Sequence, residues 1–365
     1  MKKVGLITIQ RWWNYGSMLQ AYAEFTKLNS MGYDCEFIDF MPAKLFNVRS
    51  YRMYSDVTEY AEIRDRYIEE MGGRKARFRD FEKRFKISVD TYGCDNDLEM
   101  NPPKYDAYIT GGDQIWNVNM RIASKAFFLH FTDSKEKYAF STSMGRCTSE
   151  KLADYRDYIS GYKKIYMREQ SGVDKIRALF DKDTDIEIDT MVDPTLQLTA
   201  DEWRKLLPES KLFDIAYIAC YATLDDELRV MYPFLKKIHE YLNLPVVLFG
   251  MVAPIEEDWI INKVDTGPIE FLRIIDGAEF VFTQSFHGTV FSCLFHRNFL
   301  TFNVDPNEPR KNEILTRFDL SKRMINKDSD FKDVSLEYPV FDAADKYLEN
   351  ERLRAEKNIK GCLGG

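Results

Sequence analysis

The chain has 365 residues, of which 45% are hydrophobic and 30% charged, so it is long enough for two domains with sizeable cores. Its net charge of −8 argues against a general nucleic-acid binder, because no basic excess is available for phosphates. No apolar run is long enough to cross a membrane, and the N-terminus turns polar too soon for a signal peptide. The six cysteines show neither zinc-site nor disulfide spacing, so we expect a cytoplasmic protein with free thiols.

The N-terminal half alternates apolar runs typical of buried strands with stretches of helical periodicity. A strand over 4–9, a helix over 18–28 and a strand over 35–40 predict a βαβ unit. No G-x-G-x-x-G follows the first strand, so a dinucleotide is not indicated. Later strands of this half are predicted at 105–110, 137–141, 164–169 and 187–192, with helices at 152–162 and 173–180.

Residues from about 42 to 100 differ in composition from their surroundings. Tyrosines, arginines and acids alternate there, and 60–85 predicts one or two charged helices. We interpret the segment as a helical insertion in the first domain. A cap over a cleft is one role for it, and a solvated helical hairpin is the simpler one.

The second half repeats the alternation. Strands are predicted at 213–221, 245–249, 279–283 and 298–302, and helices at 227–241, 269–276, from 288 onwards and at 343–359. The pattern predicts an α/β protein with two Rossmann-like, doubly wound domains facing a cleft. The expected domains are 1–195 and 196–340, with the helix of 341–365 packing back on the N-terminal domain.

Polar corners follow four of the predicted strands. Taken singly, they have ordinary explanations: a turn, a helix cap, an ion-pair arginine and a structural histidine. Parallel sheets gather such corners at the carboxyl ends of their strands, where ligands bind, and this favours a shared site. The four corners are Asn14-Tyr15-Gly16-Ser17, Gly111-Gly112-Asp113-Gln114, Arg168-Glu169 and Ser285-Phe286-His287-Gly288.

The last corner joins a strand directly to a helix, an arrangement that presents backbone N–H groups to an anion. Its amides, with the hydroxyls of Ser285 and Thr289, are candidates for one anionic group, and Arg168 for another. His287 is the best candidate for proton transfer, and Asp113 is either a base or a helix cap. The four histidines have no metal-ligand spacing, so neither a metal nor a cofactor is predicted.

The order and spacing of these segments resemble the polysaccharide pyruvyl transferase family. The resemblance extends from about residue 14 to 300, and its most specific part is Thr-x-Ser-Phe-His-Gly-Thr. The matching stretches are 14–23, 110–117, 141–145, 168–173, 193–195, 267–272 and 283–289.

The resemblance implies a GT-B-like fold and transfer of a pyruvyl ketal group from phosphoenolpyruvate to a sugar. That sugar would belong to a surface polysaccharide or its lipid-linked precursor. It further implies His287 as general acid, with Asp113 near the acceptor. The implied donor-binding residues are Arg168, Ser285, Phe286, Gly288 and Thr289. The implied acceptor or cleft residues are Asn14, Tyr15, Gly16, Gln114 and Trp116, although for Trp116 ordinary packing is the favoured alternative.

One departure from the family pattern concerns charge. Some relatives carry a second arginine beside the histidine, where this chain has Ser285. The missing positive charge would then come from Arg11, Arg310 or Arg317. Two other functions stay open: a nucleotide-sugar glycosyltransferase on the same fold, and a non-catalytic glycan-binding protein of a polysaccharide locus.

Overall fold

The computed structural model of the chain describes residues 1–42, 68–180, 184–305 and 309–364, with side chains omitted at 68–72. Part of the predicted insertion, 43–67, lies outside the described residues. The described chain divides into two compact units. The first unit holds 1–42, 82–198 and 348–364, and the second holds 68–81 and 199–347, apart from the gaps given above.

The first unit is built on a seven-stranded, wholly parallel sheet in the order β3-β2-β1-β4-β5-β6-β7. Apolar side chains on both faces of its central strands are buried, as a sheet covered by helices requires. Its strands are β1 (Lys3–Ile7), β2 (Asp34–Phe40), β3 (Ile87–Tyr92), β4 (Ala107–Thr110), β5 (Lys137–Thr142), β6 (Lys164–Met167) and β7 (Glu187–Thr190). The helices up to residue 198 are α1 (Tyr15–Ser30), α2 (Ile68–Glu82), α3 (Asp95–Met100), α4 (Arg156–Ser160), α5 (Gln170–Leu179) and α6 (Pro194–Gln197).

The second unit repeats the plan with a six-stranded parallel sheet in the order β10-β9-β8-β11-β12-β13. Its strands are β8 (Ile218–Ala222), β9 (Val246–Gly250), β10 (Ile260–Asn262), β11 (Phe280–Thr283), β12 (Asn298–Phe302) and β13 (Met324–Ile325). The remaining helices are α7 (Ala200–Arg204), α8 (Asp225–Leu242), α9 (Pro268–Asp276), α10 (Phe286–Leu294), α11 (Pro309–Arg317) and α12 (Asp342–Leu363). The predicted pair of doubly wound α/β domains is therefore confirmed.

The strand order reverses once in each sheet, between β1 and β4 and between β8 and β11. Such switch points open a crevice beyond the carboxyl ends of the two strands, where ligands of doubly wound folds bind. Ile7 pairs with Thr110 at the first switch point, and Tyr221 pairs with Thr283 at the second. The loops that follow these strands carry three of the four predicted polar corners.

The described part of the expected insertion is not purely helical. It contains α2, then β3, which pairs in parallel with β2 at the edge of the sheet, then α3. Strand β3 is mostly exposed, and the Val89 side chain is fully exposed. It therefore lacks the apolar run that is typical of a buried strand. Most of α2 belongs to the second unit, within which Arg77 pairs with Glu270 and with Asp265, the latter at 3.0 Å.

From residue 348 onwards, the long C-terminal helix α12 belongs to the first unit and contacts the rest of it. Lys27 Nζ lies 2.6 Å from a Glu356 carboxylate oxygen, and Arg352 donates to the carbonyl oxygen of Leu196. Tyr138 donates to the carbonyl oxygen of Cys362. None of the described helices is both long and apolar enough to span a bilayer.

Candidate active site

The first corner, defined as Ser17 with Gly111–Gln114, lies at the β1/β4 switch point. Asn14 caps helix α1, because its Oδ1 accepts a hydrogen bond from the Ser17 amide at 3.1 Å. The Ser17 hydroxyl then donates to Oδ2 of Asp113. The structure therefore brings together the predicted segments 14–17 and 111–114, which are far apart in the sequence. Asn14 lies next to the corner as the cap of α1.

Asp113 is held in an unusual backbone conformation. Its φ is 72°, in the left-handed region that a non-glycine residue seldom adopts. Its Oδ1 accepts from the Gln114 amide at 2.8 Å, and its carbonyl oxygen accepts from the Ser143 amide at 2.9 Å. With the Ser17 bond, these contacts fix a partly exposed carboxylate at the switch point, as a preorganised functional group requires.

The turn before Asp113 packs directly against helix α1. A Cβ atom on Gly111 would collide with the carboxyl group of Glu24, and one on Gly112 would lie 2.6 Å from Oε1 of Gln20. Only glycine leaves room for this close approach. The two glycines therefore set the distance between the corner and α1.

Glu24 is a buried acid beneath this turn. Its Oε2 accepts from the Gly112 amide at 2.9 Å. Burial raises the pKa of Glu24 to about 8, although the Gly112 hydrogen bond and the charge of Arg168 both act to lower it. Sequence reasoning missed this residue. The available signal was a polar stripe at helical spacing, Ser17-Gln20-Glu24, on a helix that is otherwise apolar there.

Substituting Glu24 with glutamine is expected to flatten the pH dependence of stability. Between the ordinary pKa of 4.5 and the folded value of about 8, the carboxyl is neutral in the fold and ionised once unfolded. Unfolding therefore releases a proton, and stability falls with rising pH by about 1.4 kcal/mol per pH unit from this group. Melting temperatures of the wild type and Glu24→Gln, measured from pH 5 to 8, check this.

The matched control for this prediction is Glu150→Gln, which removes the same charge from an exposed glutamate. Its melting temperature should follow that of the wild type at every pH. Parallel pH curves for the wild type and Glu24→Gln would show that Glu24 is ionised in the folded protein.

Arg168 lies inside the first unit at the end of β6. Its side chain is 2% exposed, and Nε lies 3.0 Å from Oδ2 of Asp193, whose side chain is fully buried. Nε also donates to the carbonyl oxygen of Ser141 at 3.3 Å. The guanidinium thus ties the end of β5 to the loops after β6 and β7, and its binding of a donor substrate stays a prediction.

Trp116, predicted as an acceptor or cleft residue, is corrected to a core residue. Its side chain is fully buried, and its ring stacks on Phe128 at 5.2 Å between centroids. Its Nε1 donates to the carbonyl oxygen of Phe127. This is the ordinary packing that the sequence favoured for Trp116. Of the other predicted acceptor or cleft residues, Tyr15 is also fully buried and Gly16 belongs to the first turn of α1. Gln114 is partly exposed.

The second corner, Ser285–Gly288, lies at the β8/β11 switch point and starts helix α10. Ser285 is the cap, because its Oγ accepts from the Gly288 amide at 3.4 Å. The Thr289 hydroxyl donates to the carbonyl oxygen of Ser285 at 2.9 Å, so both hydroxyls shape the start of the helix. Gly288 is required because a Cβ there would lie 2.6 Å from Oγ1 of Thr283.

His287 and Phe286 follow the cap in the first turn of α10. Each is 7% exposed, and their ring centroids lie 5.3 Å apart at an interplanar angle of 84°. The residue before the cap, Gln284, donates through Nε2 to Thr223 and Glu227. The Gln284 bonds hold the loop before the cap, and the Phe286 ring packs edge-on against the imidazole.

Lys311 also holds this corner, and sequence reasoning missed it. Its buried ammonium donates at 2.8 Å to the carbonyl oxygens of Gln284 and Phe302. The residue stands in a charged segment that is typical of a solvated helix face, so no local signal distinguished it. Its role depends on the packing of α11 against the ends of β11 and β12.

A family model described as polysaccharide pyruvyl transferase matches residues 14–306, most of the chain. The chain belongs to this family. The resemblance inferred from the sequence is thereby confirmed, and family membership indicates a transferase. Both corners of this pyruvyl transferase family member lie within the matched residues. No curated protein sequence matches the chain.

Solved structures share the fold of this family member at low sequence identity. The UDP-N-acetylglucosamine 2-epimerase from Rickettsia bellii is 12% identical with a TM-score of 0.57, covering 99% of this chain and 96% of its own. The Methanocaldococcus jannaschii UDP-GlcNAc 2-epimerase, in complex with UDP-GlcNAc and UDP, is 11% identical with a TM-score of 0.54, covering 95% and 98%. The predicted GT-B-like architecture is therefore confirmed.

Proposed function

We propose that the protein transfers the pyruvyl unit of phosphoenolpyruvate to two hydroxyls of a sugar, forming a ketal and releasing phosphate. Two C–O bonds form between C2 of the donor and the sugar oxygens, and the bond from C2 to the phosphate oxygen breaks. One hydroxyl proton ends on the methylene carbon, which becomes a methyl group. The other leaves with the phosphate, so the atoms and charges balance without an oxidant or a reductant.

The observation that carries the proposal is the position of His287. The imidazole stands in the first turn of a capped helix at a switch point, within a chain whose residues 14–306 match the pyruvyl transferase family. An imidazole there is suited to protonate the methylene carbon or the leaving phosphate, the step that makes C2 electrophilic or completes the departure.

Asp113 is the proposed base toward a sugar hydroxyl. Its carboxylate is partly exposed and is oriented by the Ser17 hydroxyl and the Gln114 amide. A fixed carboxylate loses little entropy when it accepts a hydrogen bond from a hydroxyl, and this assists proton removal. Gln114 and Asn14 are the neighbouring polar residues that we propose near the acceptor. Donor contacts are proposed for Ser285, Phe286, Gly288 and Thr289.

The acceptor class follows from the family rather than from the geometry. We propose a sugar of a surface polysaccharide or of its lipid-linked precursor, modified in the cytoplasm. A nucleotide-sugar glycosyltransferase is the second candidate, and the observation that favours it is the shared fold with an epimerase solved in complex with UDP-GlcNAc. A glycan-binding protein without catalysis is the third.

Product analysis tests the proposal. The protein is incubated with phosphoenolpyruvate and a panel of methyl hexosides and methyl N-acetylhexosaminides, and products are separated by mass. At least one acceptor is expected to gain one pyruvate less one water, with equimolar phosphate released. Transfer from UDP-GlcNAc to the same panel, with no phosphoenolpyruvate consumed, would favour the second candidate. Binding of a glycoside without reaction of either donor would favour the third.

A further inference from the structure

A guanidinium lies over the aromatic ring of the second corner. Arg310 Cζ is 5.3 Å from the centroid of the Phe286 ring, and the His287 ring lies 5.3 Å from the same ring. Stacking holds an arginine through its face, while its N–H donors lie in its plane and match a carboxylate or phosphate. Arg310 and His287 therefore contact one ring, beside the cap of α10.

The backbone near Arg310 is fixed by its neighbour. Lys311 is 3% exposed and bridges the carbonyl oxygens of Gln284 and Phe302. This bridge ties the first turn of α11 to the loop that ends in the second corner. Because adjacent residues share this anchored turn, the base of the Arg310 side chain is positioned by the fold and not only by its stack on Phe286.

The charge of Arg310 lies at the end of α11 where the helix dipole disfavours a cation. It stands in the first turn of α11, where the helix dipole is positive, and that turn contains no acidic residue. The first turn of α10 has none either. The N-terminal turns of α10 and α11 therefore both lie at this corner, and helix N-termini are suited to an anionic group.

Arg317, at the other end of α11, provides an internal comparison. It stands in the last turn, where the dipole favours a cation, and it stacks on Tyr347 at 5.6 Å. Its position is explained by the helix itself. Arg11, a third source of charge considered from the sequence, lies in the first unit with Asp39 at 2.9 Å and Glu82 at 3.6 Å. Of these three arginines, only Arg310 stacks on a residue of the second corner.

We propose that Arg310 binds an anionic group of the donor, its carboxylate or its phosphate, at the second corner. This inference rests on the proposed function, in which the donor is phosphoenolpyruvate. Arg310 is a binding residue in this scheme, and proton transfer stays with His287.

Calorimetric titration with phosphoenolpyruvate, in the absence of acceptor, tests the role of Arg310. Arg310→Gln is expected to raise the Kd about 10- to 100-fold, because a charge-assisted bidentate contact is lost. Arg310→Lys should fall between the wild type and Arg310→Gln, since an ammonium keeps the charge but not the planar fork. Arg317→Gln, which removes the same charge from the same helix, should stay within about twofold of the wild type.

Melting curves verify that each variant is folded, and Arg310→Lys carries the test should Arg310→Gln melt early. Competition by inorganic phosphate and by pyruvate identifies the group that Arg310 binds. The affinity of only one of these two competitors should fall in Arg310→Gln. Wild-type binding with an unchanged Kd in Arg310→Gln would overturn this role and leave the proposed donor intact. Absence of phosphoenolpyruvate binding in the wild type would overturn both.

Discussion

Replacing His287 with asparagine is expected to lower kcat for pyruvyl transfer about 10²- to 10⁴-fold, the usual effect of losing a general acid or base. Asparagine keeps a polar side chain of similar size but does not exchange protons near neutral pH. The KM for phosphoenolpyruvate should change little, because the donor's charge is proposed to be held by Arg310. Steady-state phosphate release, with an acceptor identified from the glycoside panel, measures both quantities.

His296→Asn is the matched control for this variant. His296 follows the same helix, α10, but its side chain is 44% exposed. Its Nε2 lies 2.8 Å from Oδ1 of Asp345, with which it forms a hydrogen bond. Its backbone φ of 52° is one that asparagine tolerates, so the substitution should be mild. Its kcat should stay within about twofold of the wild type. A wild-type kcat in His287→Asn would remove His287 from the chemistry.

Replacing Asp193 with asparagine is expected to lower the free energy of unfolding by about 3–5 kcal/mol. The substitution keeps the oxygen that accepts from the Thr195 amide and hydroxyl, so the helix cap survives. It removes the negative charge facing Arg168, whose side chain is 2% exposed. The buried guanidinium then loses a charged partner in the interior. Urea unfolding monitored by fluorescence measures the change.

Two further variants separate charge from capping. Asp330→Asn alters an exposed aspartate that likewise caps a short helix, by accepting from the Lys332 amide, and should cost well under 1 kcal/mol. Adding Arg168→Met to Asp193→Asn removes the buried cation that faced Asp193 and should restore part of the lost stability. Equal losses in Asp193→Asn and Asp330→Asn would mean that the negative charge of Asp193 does not stabilise the fold.

The parts of the fold that follow from local patterns were predictable from the sequence. The strand, cap and helix of Phe280–Leu294 are encoded by an apolar run, a serine and helical spacing, all within one short segment. The same holds for β1 with α1. In contrast, β3 gave no signal because an exposed edge strand needs no apolar run, and its partner β2 supplies its hydrogen bonds.

The site was predictable as a set of corners but not as a set of contacts. The Ser17–Asp113 bond joins segments that only the β1/β4 pairing brings together. The burial of Arg168 depends on Asp193 at the end of a different strand. Trp116 stands in a polar motif yet enters the core, because the chain after Asp113 turns inward onto Phe128. Side-chain environment at these positions is set by tertiary packing, which local patterns do not contain.

The central claim, that phosphoenolpyruvate is the donor, is tested most directly by calorimetric titration of the wild-type protein without acceptor. Phosphoenolpyruvate and UDP-GlcNAc are titrated in parallel under the same buffer and salt. Saturable binding of phosphoenolpyruvate, with no binding of UDP-GlcNAc, is the predicted result. Saturable binding of UDP-GlcNAc with none of phosphoenolpyruvate would contradict it.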